Sequence, residues 1–549
     1  MKSSQSSIRI ARKQVGKVCD VPSIQGYLKQ SRSAQQLFLD CVQIRHYGEG
    51  EASFRRLAAS FQPLESCILH CNGIGAEEAR LIADISLLGE TSKLQNLSIC
   101  YNRIGSEGVE YIAKALLRRN FKLKSLSLRW VQAGPTGALE LAQALKANHT
   151  LVKLNLDQNG IGDEGCAFIA KALLENSTLR SLRLGGNRIG DSGAHQIFTV
   201  LAQQSDHSCK LESLYLQDNQ IGFSGARSIA EPLLVNKTLK LLHLSRNLVG
   251  ESGSTQIAKS LVSNNTLEAL YLSGNQIGDE GAKQIALAMK KRKMALQVLS
   301  LGGNGIRDNG ARSLADAAHY SKLSFKKVNL SGNQLGPVGT KIVAAALASQ
   351  ATVERLSLAR TLAVADCILP IADLLKSQCC SLSYLNLQGN LLGDQGAAHI
   401  FQALKHNSTL RQLNVCETGI TPQSVELIVD TISCNSSLVA LDLFDNNLGS
   451  EGVRAISEAM KSSNLSLSCI HVKHIPSDPM VAKTLELVRQ RNCWVRSLVV
   501  NGSDTTTISA ATDDKTLLVR AFPEMCVSQV SCLSLQFHLL REALVDKLE

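Results

Sequence analysis

Aromatic side chains are scarce: Phe, Tyr and Trp together make up 4% of 549 residues. An enzyme of ordinary globular design carries more. Catalytic signatures are missing as well. There is no G-x-x-x-x-G-K-[S/T] phosphate loop, no G-x-S-x-G nucleophile turn and no H-E-x-x-H zinc site. The 16 cysteines include no C-x-x-C pair, which removes the commonest zinc and dithiol frameworks. No apolar run approaches the roughly 18 residues of a membrane-spanning helix. No secretory hydrophobic segment follows the N-terminus. These absences set the first expectations: not an enzyme, no cofactor, no bound metal and no membrane span.

Charge of one sign is in excess, with a formal net of +11, but it is unevenly spread. Residues 1–60 carry ten Lys/Arg against four Asp/Glu, and residues 477–549 carry eight against nine. The remaining excess is too dilute over the middle of the chain to support a nucleic-acid groove. Many cysteines occupy apolar slots, which fits reduced thiols and a cytoplasmic location. The first 19 residues are Ser-rich and basic, with no acid before Asp20. Organelle targeting through this segment, or a nuclear location, are the alternatives.

What the sequence does have is repetition. One template, L-x-x-L-x-L-x-x-N-x-I-G-D-E-G-x-x-x-I-A-x-A-L-x-x-N-x-T, recurs at Leu64, Leu94, Leu123, Leu151, Leu179, Leu211, Leu239, Leu267, Leu296, Phe325, Val353, Leu382, Leu410 and Leu438. A degraded fifteenth copy starts near Leu467. One stretch, Gly160-x-Gly162-x-x-Gly165, imitates a dinucleotide-binding turn. Its siblings dispose of that reading. Arg188, Gln220, Leu248 and Gln276 stand where Gly160 does, and no acid lies between Leu179 and Ile189 to hold a ribose.

Within one copy, L-x-x-L-x-L reads as a short strand with leucines on one face. The ninth-position Asn, as in Asn159 or Asn187, turns the chain. Asp163, Asp191 and Asp279 stand where a helix N-cap belongs. Ile169, Ala170 and Leu173 form a helical apolar stripe, and Asn176-x-Thr178 closes the unit. Such units bury their apolar faces only by stacking. Strands pack about 4.8 Å apart and helices about 8–10 Å apart, so the stack must curve. The expected fold is an α/β solenoid of about 14–15 repeats, a horseshoe with parallel strands on the concave face and helices on the convex face.

This pattern resembles the ribonuclease-inhibitor-like class of leucine-rich repeats over about residues 60–476. It is most similar to the repeats of NOD-like receptors and of Ran GTPase-activating proteins, which share N-x-I-G-D-E-G-A-x-x-I-A-x-A-L. The resemblance implies the fold and a protein partner, with a small GTPase as one partner to consider. It also implies two alternative functions, a GTPase activator of the Ran-activating type and the recognition half of a NOD-like sensor. The missing phosphate loop removes the nucleotide-binding module of such sensors. The tail lacks the acidic segment that the Ran-activating family carries.

Outside the array, residues 1–33 read as a disordered basic tail, 34–63 as an N-terminal cap and 477–549 as a C-terminal cap with an appendage. The latter includes helical runs over 481–491 and 535–548. Three copies depart from the template: Val131, Thr361 and Thr418 replace the turn Asn. About four extra residues near 204–208 suggest a loop.

An open parallel sheet would display positions five, seven and eight of each copy. The early copies place Tyr101, Arg129, Trp130, Arg183, Tyr215, His243, Arg246 and Tyr271 there. Later copies place mainly small groups such as Ser300, Gly302, Ser331 and Gly332, before Asp442, Phe444 and Asp445 near the far end. Tyr, Trp and Arg dominate interface hot spots, so the eight early residues are the candidate protein-binding site. RNA stacking on the same rings is disfavoured by the absence of a basic stripe. Cys67, His70, Cys71 and Cys100 cluster in sequence register, but Cys67 fills a core leucine slot. His471-x-x-His474 is one pair without neighbours. The recurrent N-x-[S/T] at Asn148, Asn176, Asn236 and Asn407 reads as turn chemistry, not glycosylation. The expected function is a non-enzymatic protein-binding scaffold or regulator.

Overall fold

The computed structural model describes residues 7–11, 35–40, 50–61, 63–87, 92–118, 122–203, 209–294, 296–319, 324–350, 352–462 and 466–472. The expected loop at 204–208 and the expected C-terminal cap and appendage lie outside them. The chain packs as two compact units, Met1–Ile277 with Lys291–Leu296, and Gly278–Lys290 with Gln297–Glu549.

The first unit contains β1 (Ser7–Ala11), β2 (Gln36–Asp40), β3 (Ser66–His70), β4 (Asn96–Ser98), β5 (Ser125–Ser127), β6 (Lys153–Asn155), β7 (Ser181–Arg183), β8 (Ser213–Tyr215), β9 (Leu241–His243) and β10 (Ala269–Tyr271). Each pairs in parallel with the next. In the second unit, β11 (Val298–Ser300), β12 (Lys327–Asn329), β13 (Arg355–Ser357), β14 (Tyr384–Asn386), β15 (Gln412–Asn414), β16 (Ala440–Asp442) and β17 (Cys469–His471) do the same. A helical segment follows each strand from β3 to β16.

Within residues 1–33, expected to form a disordered basic tail, residues 7–11 form β1. Ser7 pairs with Gln36, one repeat length along the chain. Ser-Ile-Arg-Ile-Ala alternates as a strand should, but it carries isoleucine where the template has leucine.

Leucine alternation works as the pattern implies. Leu154 and Leu156 are buried while Asn155 between them faces the open side of the sheet. The helix Gly162–Leu173 returns Ile169, Ala170 and Leu173 to the same core. The turn asparagines form a ladder. Asn187 Oδ1 accepts from the backbone N–H of Asn159 at 2.8 Å, and its Nδ2 donates to Leu156 O at 2.9 Å. Asn219 repeats both contacts one copy on, to Asn187 N and Leu184 O. Each amide thus satisfies peptide groups that the bend leaves without a sheet partner.

A second ladder follows the helices. Asn176 Nδ2 donates to Leu145 O and Asn148 O, while its Oδ1 accepts from Thr178 N and Leu179 N. Asn148, Asn176, Asn236 and Asn407 are all buried by this role. In the copy that follows Asn264, Arg292 takes over: its Nε donates to Asn264 O at 2.7 Å, and burial lowers its pKa to about 10.

The repeated aspartates act differently from the sequence expectation. The helix Gly162–Leu173 has Ile161 at its N-cap and no side-chain cap. Asp163 lies in the first turn and reaches across to the next copy, where its Oδ1 accepts from Gly190 N at 2.6 Å and Gly193 N at 3.0 Å. Asp279 does likewise with Arg307 N and Gly310 N. The correction is that each aspartate caps its neighbour's helix and not its own. It also accounts for the third glycine in the copies that follow such an aspartate. A Cβ at Gly193 would stand 2.6 Å from Asp163 Oδ1. Replacing Asp163 by Ala is expected to destabilise the protein by about 1 kcal/mol in chemical denaturation, the usual worth of a cap. Glu164→Ala, on the exposed neighbour, should cost almost nothing, and equal losses would contradict the cross-copy role.

Candidate functional site

All eight sequence-predicted residues lie in the first unit, and their contacts form two clusters. In the first, Tyr101 follows β4 and Arg129 and Trp130 follow β5. The Tyr101 and Trp130 rings stand 6.3 Å apart, and His70 meets Tyr101 edge-on at 6.4 Å. The Arg129 guanidinium lies over the Tyr101 ring at 5.2 Å, with Nε donating to Gln158 Oε1 at 3.0 Å.

The second cluster runs across β7 to β10, whose register places Arg183 beside Tyr215, Tyr215 beside His243 and His243 beside Tyr271. Arg183 stacks on Tyr215 at 4.5 Å. The Tyr215 and His243 rings are stacked at 6.0 Å, and the His243 and Tyr271 rings at 4.7 Å. The result is one cation followed by three rings, a ladder along successive strands. Arg246 flanks it, 69% exposed and held in a two-point ion pair with Asp218.

Sequence reading missed Asp157, which is what fixes Arg183. Its side chain is only 4% exposed; Oδ2 accepts from Arg183 Nε at 3.0 Å and Oδ1 from Gly185 N at 2.7 Å. It occupies position seven of its copy, a column that faces the open side, but as neither an aromatic nor an arginine it carries no hot-spot signal. A further stacked pair, Arg355 over Tyr384 at 4.0 Å in the second unit, lies at position three and was outside the columns read.

Backbone geometry adds a second observation. Position eight adopts the left-handed conformation in copy after copy, and Gly186, Gly274, Gly332 and Gly389 occupy it without strain. Tyr101 (φ 60°), Trp130 (φ 55°) and Arg246 (φ 56°) hold it with large side chains, as Gln158, Arg360 and Glu417 do in other copies, at about 1 kcal/mol each. Trp130 is nevertheless 40% exposed and Tyr101 37%. These side chains cost stability and leave much of their surface in water.

His243 is held neutral. Burial lowers its pKa to about 4, and the nearby Arg183 and Arg246 push the same way. Between pH 6.5 and about 4 the unfolded chain takes up this proton before the folded one does, so the contribution of His243 to stability is lost as pH falls through that window. His243→Gln should therefore flatten the loss of stability between pH 6.5 and 4.5, measured as unfolding midpoints. An unchanged pH dependence in the variant would contradict the assignment.

Comparison with known proteins agrees with the repeat reading. A leucine-rich-repeat model matches residues 92–113, 147–170, 175–197, 207–230, 263–286, 293–315, 378–401 and 434–457. The repeats are leucine-rich repeats. They resemble those of NACHT, LRR and PYD domains-containing protein 2 of Homo sapiens, 35% identical over 113 residues, which is 20% of this chain and 11% of that protein. A protein phosphatase 1 regulatory subunit 37 homolog of Caenorhabditis briggsae is 33% identical over 82 residues, 15% of this chain and 9% of the relative. The chain thus spans only about a tenth of the length of these curated relatives. A chain in the yeast Rad7 and Elc1 complex aligns over 84% of this chain and 95% of its own, with 15% identity and a TM-score of 0.44.

In this leucine-rich-repeat frame the cysteine cluster separates. Cys67 is fully buried in the core, where burial pushes its thiol far up. His70 Nε2 and Ser98 Oγ are 2.8 Å apart on the open face, and Cys100 Sγ lies 3.2 Å from Ser98 Oγ and 3.1 Å from Ser127 Oγ. Among the described residues, no group of three or more His, Cys, Asp and Glu side chains is placed to hold a metal ion. No described helix is long and apolar enough to cross a membrane. A void of about 20 Å³ lined by Leu299, Leu314, Phe325 and Val328 has room for one water and none for a cofactor.

Proposed function

We propose that the chain is a non-enzymatic protein-binding scaffold whose first unit engages a protein partner through Tyr101, Arg129, Trp130, Arg183, Tyr215, His243, Arg246 and Tyr271, on the face expected to be concave. The observation that carries this reading is the ordered run of Arg183, Tyr215, His243 and Tyr271, together with large side chains held at left-handed positions. Fold stability alone favours glycine at those positions. Rings and guanidinium groups that are already pinned lose little freedom when a partner covers them. The leucine-rich repeats and the regulatory-subunit relative support a binding role over a catalytic one.

A photoreactive phenylalanine analogue at position 215 tests the face. It should crosslink a protein in cell extract, whereas the same analogue at position 171, on the helix surface, should not. Equal crosslinking from both positions, or crosslinking from 171 alone, would overturn the assignment.

A further inference from the structure

The last described strand holds a constellation that the partner patch does not involve. Cys469 and His471 are two residues apart on β17, so both side chains point to one face of the sheet. Asp442 lies opposite His471 in the register of β16. His471 Nδ1 stands 3.4 Å from Asp442 Oδ2, and Nε2 stands 3.4 Å from Cys469 Sγ. All three residues are half-buried. A nucleophile within reach of a base, with that base oriented by a third group, is the arrangement that activates a thiol.

We infer that Cys469 is a reactive thiol and a covalent modification site for soft carbon electrophiles of the α,β-unsaturated carbonyl class, with the His471 imidazolium as its charge partner and Asp442 as the positioning residue. In the reaction the Cys469 Sγ–H proton is lost to solvent, and the His471 imidazolium stabilises the thiolate. The thiolate Sγ bonds to the β-carbon of the electrophile, and the π electrons of the C=C bond move to form the enolate. The imidazolium then gives its proton to the α-carbon and recovers one from solvent. The adduct is a net addition, and nothing is oxidised.

The surroundings fit this division of roles. Hydrogen bonding to Asp442, then to Cys469, raises the His471 pKa to about 10, so the imidazolium is available to pair with a thiolate. Charges around neighbouring Cys416 are Asp442, Glu417, Asp445 and Arg360, and Arg360 is held by Glu417 at 2.9 Å. Cys416 lies among these acids and is almost fully buried, and its thiol is pushed up to about 12.

The test uses the full chain and N-ethylmaleimide, with labelling rates at each cysteine read by peptide mass spectrometry from pH 6 to 8. The exposed thiols Cys379 and Cys434 are internal controls. An ordinary thiol, with a pKa of about 8.5, loses roughly tenfold in thiolate and in rate per pH unit below it. Cys469 should keep a nearly flat profile and react at least about fivefold faster than Cys434 at pH 6. His471→Gln and Asp442→Asn should return it to the steep profile of the controls. A Cys469 slope parallel to that of Cys434 in the unaltered chain overturns the inference, whatever the variants do. Slope, unlike absolute rate, is insensitive to partial burial.

Discussion

Asn187→Ala is expected to destabilise the protein by on the order of 3–5 kcal/mol. Removal of the side chain withdraws the acceptor of Asn159 N and Ile161 N, both buried, and the donor to Leu156 O. Each buried polar group left unsatisfied costs about 1–3 kcal/mol. Asn187 itself is 0% exposed, so bulk water does not replace these bonds. Asn187→Thr should cost less. At the two natural Thr copies, Thr361 Oγ1 donates to Leu358 O at 2.9 Å and Thr418 Oγ1 to Val415 O at 2.6 Å, so a hydroxyl recovers the local bond within its own copy. Chemical denaturation of the two variants measures the difference. Because repeats are coupled only to neighbours, the Ala variant should also broaden the transition as copies beside it open first. A loss below about 1 kcal/mol for Asn187→Ala would show that the ladder is not what holds the turns.

Trp130→Gly should separate binding from folding. At a left-handed φ of 55°, glycine removes about 1 kcal/mol of backbone strain, while the ring it deletes is 40% exposed and gives up little core. The unfolding midpoint should hold or rise. Affinity for the protein partner should fall about 30-fold, the effect of losing a hot spot worth about 2 kcal/mol. Arg246→Ala should do far less, since its charge is already matched by Asp218 and a paired, solvated rim cation contributes little. Coincident loss of stability and binding in Trp130→Gly would mean that the ring belongs to the fold and not to an interface.

The repeat itself was legible because each leucine, Asn and glycine recurs at a fixed offset, and stacking follows from strand and helix spacings alone. The aromatic and arginine columns were also visible, since position five of adjacent copies must become adjacent side chains. Other features depended on contacts between copies. The spacing of Asp163 fits a cap on its own helix or on the next one, and only the structure distinguishes the two. β1 went unread because its isoleucines do not match the template. Asp157 gives no interface signal by residue type, although it anchors Arg183. The sequence pairs His471 with His474, which lies outside the described residues, while the contacts of His471 are Cys469 on the same strand and Asp442, 29 residues earlier in register.

The most direct test of the binding surface is a paired capture from cell extract, quantified by mass spectrometry. One bait is the unaltered chain; the other carries Trp130→Ala, Arg183→Glu, Tyr215→Ala and Tyr271→Ala, matched for unfolding midpoint. The binding surface predicts at least one protein retained by the first bait and lost from the second. Identical retained sets at equal stability would contradict it.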